Sequence, residues 1–313
     1  MKKHNIIAMA LTSLMALPVI AQDSTPAVGD ILQGINMFTP EEGDPAYKVK
    51  ANEKYGTQWG VDMAYGLWNT EKVSDVKRHN NLALLHAQLN QRLIEDKANG
   101  GTWLRVEFSG SWGLDRESAQ SDTFFTEAYA TASGLHADAM GPHEGIFPEV
   151  ALMQYFAGKR ACLIAGMVNL TNYFDAVSIA NDSFSSFTND GFVNSTILPL
   201  VDSNIGGILQ VELNRNNYMM VAVSRTGCDS GYNPFNSDYC DGYAVVGEYG
   251  HIFADGAATL RINPFYTSTD VDMDDGTGER RRQNAGLVAS IEYTPCDPLT
   301  IYSRAGFAAK QYL

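Results

Sequence analysis

The chain has 313 residues, 45% of them hydrophobic, and a formal net charge of −14 at pH 7. An acidic balance of that size argues against nucleic acid as a partner and suits an exported, solvated protein. Beyond the N-terminus no stretch supplies the roughly 18 uninterrupted apolar residues of a spanning helix, so entry into a membrane requires a closed β-barrel.

The chain opens "MKKHNIIAMALTSLMALPVIAQDSTP". Lys2 and Lys3, the apolar run from Ile6 and the small Ala21 before Gln22 have the order of a cleaved secretory signal, residues 1–21. Residues 22–57 carry Pro26, Pro40 and Pro45 and little periodicity. They read as an irregular N-terminal segment with one short helix near "VGDILQGINMF". From Gln58 to the end the chain is a train of strand-like segments. Trp59, Val61, Met63, Tyr65 and Leu67 alternate with smaller or polar residues, and "NLALLHAQLNQRLI" follows. "TWLRVEFSGSWG", 102–113, sets Leu104, Val106 and Phe108 on one face and Trp103, Arg105 and Glu107 on the other. Between residues 122 and 147 the pattern is ambiguous, with "FFTEAYATA" a further candidate strand.

Later connections alternate in length. A Gly-Lys-Arg turn joins "PEVALMQYFA" to "ACLIAGMVNLT", and a long gap, 172–204, precedes "IGGILQVEL". "NRNN", "ADGA" and "TPCDP" are short, whereas the cysteine loop and "TSTDVDMDDGTGERRRQ" are long. Short turns at one end and long loops at the other mark an outer-membrane barrel, as do segments of about 9 to 11 residues. A soluble sandwich is the competing arrangement, because aromatic-rich alternation occurs there too. Cys228 and Cys240 bracket "CDSGYNPFNSDYC" and are expected to close it with a disulfide, while Cys162 and Cys296 have no evident mates.

The segment 155–199, "YFAGKRACLIAGMVNLTNYFDAVSIANDSFSSFTNDGFVNSTILP", resembles the carbohydrate-selective porins of the OprB family. The likeness lies in the Gly-Lys turn before "GMVNLTNYFD", in "ANDSFSSFTNDGFVN", and in the paired glycines of "IGGILQVEL". "GTWLRVEFSGSWGL" and "YGTQWGVDMAYGLW" are similar in order and character. The resemblance implies an outer-membrane barrel, a periplasmic N-terminal segment and a narrowed pore admitting sugars. Eleven or twelve strands and an ending "AAKQYL" without a terminal aromatic differ from the family's larger barrels. The expectation is an antiparallel up-and-down barrel over residues 58–313, with further strands missing at its C-terminus.

If the apolar faces meet lipid, Trp103, Arg105 and Glu107 project together into the interior, with Arg105 and Glu107 holding each other. An arginine in mid-membrane hydrocarbon would cost about 2 to 4 kcal/mol, which favours that assignment. The same logic selects Arg225, Arg261, Asn263, Glu292, Tyr302 and Arg304. A sugar needs fixed polar groups for directional hydrogen bonds and an aromatic edge for its C–H faces. These residues equally suit a plain wet wall. The 172–204 loop, with Asp175, Asn181, Asp182, Asn189 and Asp190 among phenylalanines, either folds inward and narrows the pore or stays outside.

"DVDMDDG" lacks the glycine and glutamate spacing of a calcium loop, and His136, His143 and Glu144 lack metal-ligand spacing. No metal, cofactor or catalytic constellation is expected. The function expected is passive diffusion of small neutral sugars, with outer-membrane lipid as surroundings and self-association left open. A structural or adhesive barrel whose loops bind a surface partner is the alternative. A periplasmic lectin-like sandwich comes third, and an outer-membrane hydrolase last.

Overall fold

Alternating side chains drive almost every element. The computed structural model describes residues 45–69, 79–113, 143–178, 194–201, 203–226, 242–272, 280–296 and 299–309. It contains one helix, α1 (Ala46–Tyr55), and eleven strands: β1 (Thr57–Asn69), β2 (His79–Ile94), β3 (Thr102–Gly113), β4 (His143–Phe156), β5 (Ala161–Val168), β6 (Asn204–Asn214), β7 (Asn217–Thr226), β8 (Gly242–Phe253), β9 (Ala258–Asp272), β10 (Arg280–Cys296) and β11 (Leu299–Ala308). Each strand pairs antiparallel with its neighbours in sequence, giving a single up-and-down sheet in the order β1 to β11. Among the described residues β1 and β11 are not paired to each other.

The expected fold class is therefore found, and the alternation of connection length holds from end to end. The connections after β2, β4, β6, β8 and β10 have two to seven residues and those after β1, β3, β5, β7 and β9 seven to thirty-five, each of the latter longer than the turns beside it. The sequence placed a helix near 28–38, which lies outside the described residues, as do the signal segment and "FFTEAYATA". The helix observed forms later, immediately before β1.

On β7, Tyr218, Met220, Ala222 and Ser224 are buried while Met219, Val221 and Val223 are 50%, 43% and 53% exposed. β3 behaves alike: Trp103, Arg105, Glu107 and Ser111 are buried, and Leu104, Val106 and Phe108 face the other way. The polar-bearing face is thus the enclosed one, and the apolar face is left for lipid. Aromatics gather towards the two ends of that outer face. Phe156, Tyr249 and Tyr293 lie towards the short-turn end, and Tyr65, Phe147, Tyr243 and Phe307 towards the long-loop end, all between 37% and 62% exposed. Phe147 packs edge-on against Phe108 at 5.4 Å, and Tyr243 lies 5.9 Å from Tyr266. Two such girdles flanking an apolar band are the signature of a membrane barrel.

Two irregularities have local causes. The β3–β4 register shifts between Glu107 and Ser109, opposite Phe147 and Pro148. Proline has no N–H for the ladder, so the bulge absorbs it. Gly56 ends α1 at φ +64°, and a Cβ there would lie 2.4 Å from Cβ of Arg92. Gly56→Ala is expected to destabilise the barrel by about 1–2 kcal/mol through this strain and overlap, read from thermal unfolding in detergent. An unchanged midpoint would remove Gly56 as a requirement.

Candidate functional site

The chain folds back into the sheet after β5. Asn169 caps a single 3-10 turn, Leu170–Asn172, accepting at Oδ1 from the Thr171 N–H (3.1 Å) and hydroxyl (2.6 Å). The two limbs of the loop are joined where Leu170 N–H donates to the carbonyl of Val201 (2.9 Å). Leu170, Tyr173, Phe174 and Val177 are all 0% exposed. Leu170, Tyr173 and Phe174 form one buried cluster with Met153, Ile164, Ile208, Met220 and Val246 from the inner faces of β4 to β8. The enclosed face of this half of the sheet is apolar because a loop covers it, not because it meets lipid.

Polar tethers then fix the loop to strands on both sides of the interior. Asn172 Nδ2 donates to Glu107 Oε2 on β3 (2.5 Å) and to Glu149 Oε2 on β4 (3.2 Å). The Tyr173 hydroxyl donates to Glu149 Oε1 (2.5 Å). Asp175 N–H donates to Glu248 Oε2 on β8 (2.9 Å), and Ser178 gives both its N–H (3.0 Å) and its hydroxyl to Glu292 Oε1 on β10. Asp175, held at φ +55°, accepts from Ser195 N–H (2.8 Å) and pairs with Arg304 Nε on β11 (2.8 Å). Four strand carboxylates and one arginine thus grip a seven-residue stretch, Asn172–Ser178. Charge-assisted bonds of this kind are short and strong, and a buried charge stripped of its partner costs several kcal/mol. The loop is fastened, not merely resting.

The sequence reading expected Arg105 and Glu107 to hold each other. Arg105 Nε pairs with Glu149 Oε2 (2.9 Å), with Glu107 adding to the negative charge around it, and its guanidinium carbon lies 5.5 Å from the centroid of the Tyr173 ring. Glu107 meets His86 Nε2 (2.8 Å) and Asn172. The antiparallel register explains this: Glu107 and Glu149 are direct partners, so Arg105 reaches diagonally across the strand pair. Trp103 faces inward but is 5% exposed, with Nε1 donating to Gly100 O (2.8 Å) and Arg92 stacked over it. It offers little free edge to a solute. Arg261 pairs with Glu292 (3.1 Å), Asn263 Nδ2 donates to Glu248 (2.7 Å), and Arg304 lies 5.8 Å from the Tyr302 ring.

Arg225 is a correction. It shares the outward parity of Met219, Val221 and Val223, one residue from the end of β7, and does not face the interior. At a strand's end a long side chain reaches the membrane–water boundary, so an outward arginine is tolerable there. Asn181, Asp182, Asn189 and Asp190 lie outside the described residues, as do Cys228 and Cys240. Cys162 and Cys296 are free thiols.

Glu149, Glu248, Asn172, Tyr173 and Ser178 went unnoticed in the sequence. Glu149 and Glu248 each stand alone on an otherwise apolar inner face, Glu149 with Ala151 and Met153, Glu248 with Ala244 and Val246. A lone carboxylate in such a row was the available signal that something polar docks there. Tyr218 completes the pattern, its hydroxyl donating to Glu248 Oε1 (2.7 Å).

This architecture matches a solved porin. The high-pH structure of OprB from Pseudomonas putida aligns with 80% of this chain and 64% of its own, at a TM-score of 0.57 and 13% identity. The chain has an OprB-like porin fold. It spans just under two thirds of the length of that OprB chain. A mutant porin from Rh. blastica aligns with 80% of this chain and 99% of its own at 11% identity, with a TM-score of 0.24, too low to bear on the fold. No protein-family model and no curated protein matches the sequence. In this fold the loop is tethered across the enclosed face of the sheet.

Proposed function

We propose that the protein is an outer-membrane porin for passive diffusion of small neutral sugars, working without chemistry. The observation that carries this reading is the Asn172–Ser178 stretch, gripped from β3, β4, β8, β10 and β11 inside a sheet whose outer face is apolar and girdled by aromatics. A fixed constriction discriminates solutes by size and by the polar groups that line it. Partly exposed interior groups such as His86, Gln88 and Arg304 supply acceptors and donors for hydroxyls, and a neutral solute crosses without losing counter-ions. The resemblance of residues 155–199 to carbohydrate-selective porins supports sugars as the solute class. Arg105 serves in this reading as a positioning residue behind Tyr173, since its own side chain is 1% exposed.

The test is conductance of the full chain in a planar bilayer, titrated with mono- and disaccharides. Discrete current steps that neutral sugars close in a saturable way are expected. A detergent-stable, inserted barrel with no conductance overturns the proposal and moves attention to the loops as adhesive surfaces.

A further inference from the structure

Charge is divided unevenly along the chain. The long connections 70–78, 114–142, 169–203, 227–241 and 273–279 contain seventeen Asp or Glu and four Lys or Arg. The short turns 95–101, 157–160, 215–216, 254–257 and 297–298 are balanced, with four Asp or Glu and four Lys or Arg. Helix α1 alone carries Lys48, Lys50 and Lys54 against Glu53, in a chain of formal net charge −14.

The position of α1 gives that charge a meaning. Tyr47 stacks on Trp59 with ring centroids 6.2 Å apart and planes 25° apart, and Lys48 Nζ sits 4.9 Å from the centroid of the same ring. Trp59 pairs directly with Leu89, which is exposed on the lipid-facing side, and shares the parity of Val61 and Met63. At the other end of the helix, Gln91, also on the outward face, donates from Nε2 to Tyr55 O (2.9 Å). Gln58 on the inward face donates to Asn52 Oδ1 (3.2 Å) and pins the helix across the strand end. The helix therefore lies across the end of β1 and β2 where they meet the short turns, with Tyr47 and Lys48 against their outer flank. Tyr47 and Tyr55 are each 60% exposed, Lys50 and Lys54 are exposed, and Lys54 Nζ lies 4.9 Å from the centroid of the Tyr55 ring.

We propose that α1 is a docking surface for anionic phospholipid headgroups of the leaflet at the short-turn end. Lys48, Lys50 and Lys54 meet headgroup phosphates, while Tyr47, Tyr55 and Trp59 lie at the boundary between headgroups and acyl chains, where amphipathic rings are favoured. Continuity with the lipid-facing wall selects lipid over a soluble acidic partner, because Trp59 belongs to both surfaces. The inference rests on the outer-membrane reading of the barrel.

The test uses the full chain reconstituted in mixed bilayers of phosphatidylcholine and phosphatidylglycerol, with one or the other lipid brominated, and reads quenching of tryptophan fluorescence. Trp59→Phe isolates the share of Trp59. Brominated phosphatidylglycerol is expected to quench Trp59 about threefold more than brominated phosphatidylcholine at low salt. The preference should vanish in about 1 M salt. Lys48→Gln/Lys50→Gln/Lys54→Gln should abolish the preference and leave quenching by phosphatidylcholine unchanged. Equal quenching by the two lipids in the wild type, or a preference that survives the triple substitution, overturns the proposal. So does binding to peptidoglycan sacculi that the triple substitution abolishes while no lipid preference exists. Conductance in a neutral bilayer separates the two readings. A conducting pore without lipid preference sinks the docking surface alone, and a silent barrel sinks the porin reading.

Discussion

Glu149→Gln is expected to widen the pore and weaken the barrel together. Glu149 is 0% exposed and accepts from Tyr173 and Asn172 of the loop while pairing with Arg105 of the neighbouring strand. Glutamine keeps the shape and one carbonyl oxygen for Tyr173, but it removes the charge opposite a guanidinium that is itself 1% exposed. Breaking one side of a buried pair costs about 3–5 kcal/mol. Part of that cost is avoided if Arg105 swings away, and Arg105 can swing only if Tyr173 moves off it. The measurable result is higher unit conductance, weaker block by sugars and a lower unfolding temperature in detergent. Wild-type conductance combined with a lowered unfolding temperature would show that Glu149 supports the wall and has no part in placing the loop.

A second large effect is expected at the opposite anchorage. Asp175 is fully buried and joins Ser195 of the returning limb to Arg304 of β11. Asp175→Asn keeps an acceptor for the Ser195 N–H and loses the ion pair; Arg304→Gln loses it from the other side. Each should raise current noise and reduce saturable sugar block, and each should cost about 2–4 kcal/mol of stability, since the surviving partner stays charged and wholly or largely out of water. The double variant should cost less than the sum of the singles by about 1–3 kcal/mol, because it leaves no orphaned charge. Strict additivity would mean that the pair does not act as a unit.

The alternation of "TWLRVEFSGSWG" and the parity of loop lengths were enough to orient the sheet. Both are local signals, period 2 in the side chains and punctuation in the turns, and neither depends on a partner distant in sequence. Arg261, Asn263, Glu292 and Arg304 were readable for the same reason, being polar side chains on faces whose alternate residues are apolar. Arg225 shows where that reasoning slips. Its strand is apolar on both faces, with Met219, Val221 and Val223 outside and Met220 and Ala222 inside, and the parity that turns Val223 towards lipid turns Arg225 the same way, against its charge. The inner apolar row was illegible until the loop was placed on it. The partners of Arg105 were likewise hidden, because diagonal reach across β3 and β4 depends on a register set by a bulge at Phe147 and Pro148.

The tethers of the inserted loop also bear on how the barrel is made. The bond from Asn172 to Glu107 spans 65 residues of chain, and the one from Arg304 to Asp175 spans 129. Closing contacts so distant in sequence is slow, since the chain loses loop entropy before any contact repays it. The first anchor can form once β3, β4 and β5 are in place, but the last must wait for β11. A half-inserted chain would hold its loop by one end only, free to sweep the interior. Full tethering of the loop is then among the last events of assembly.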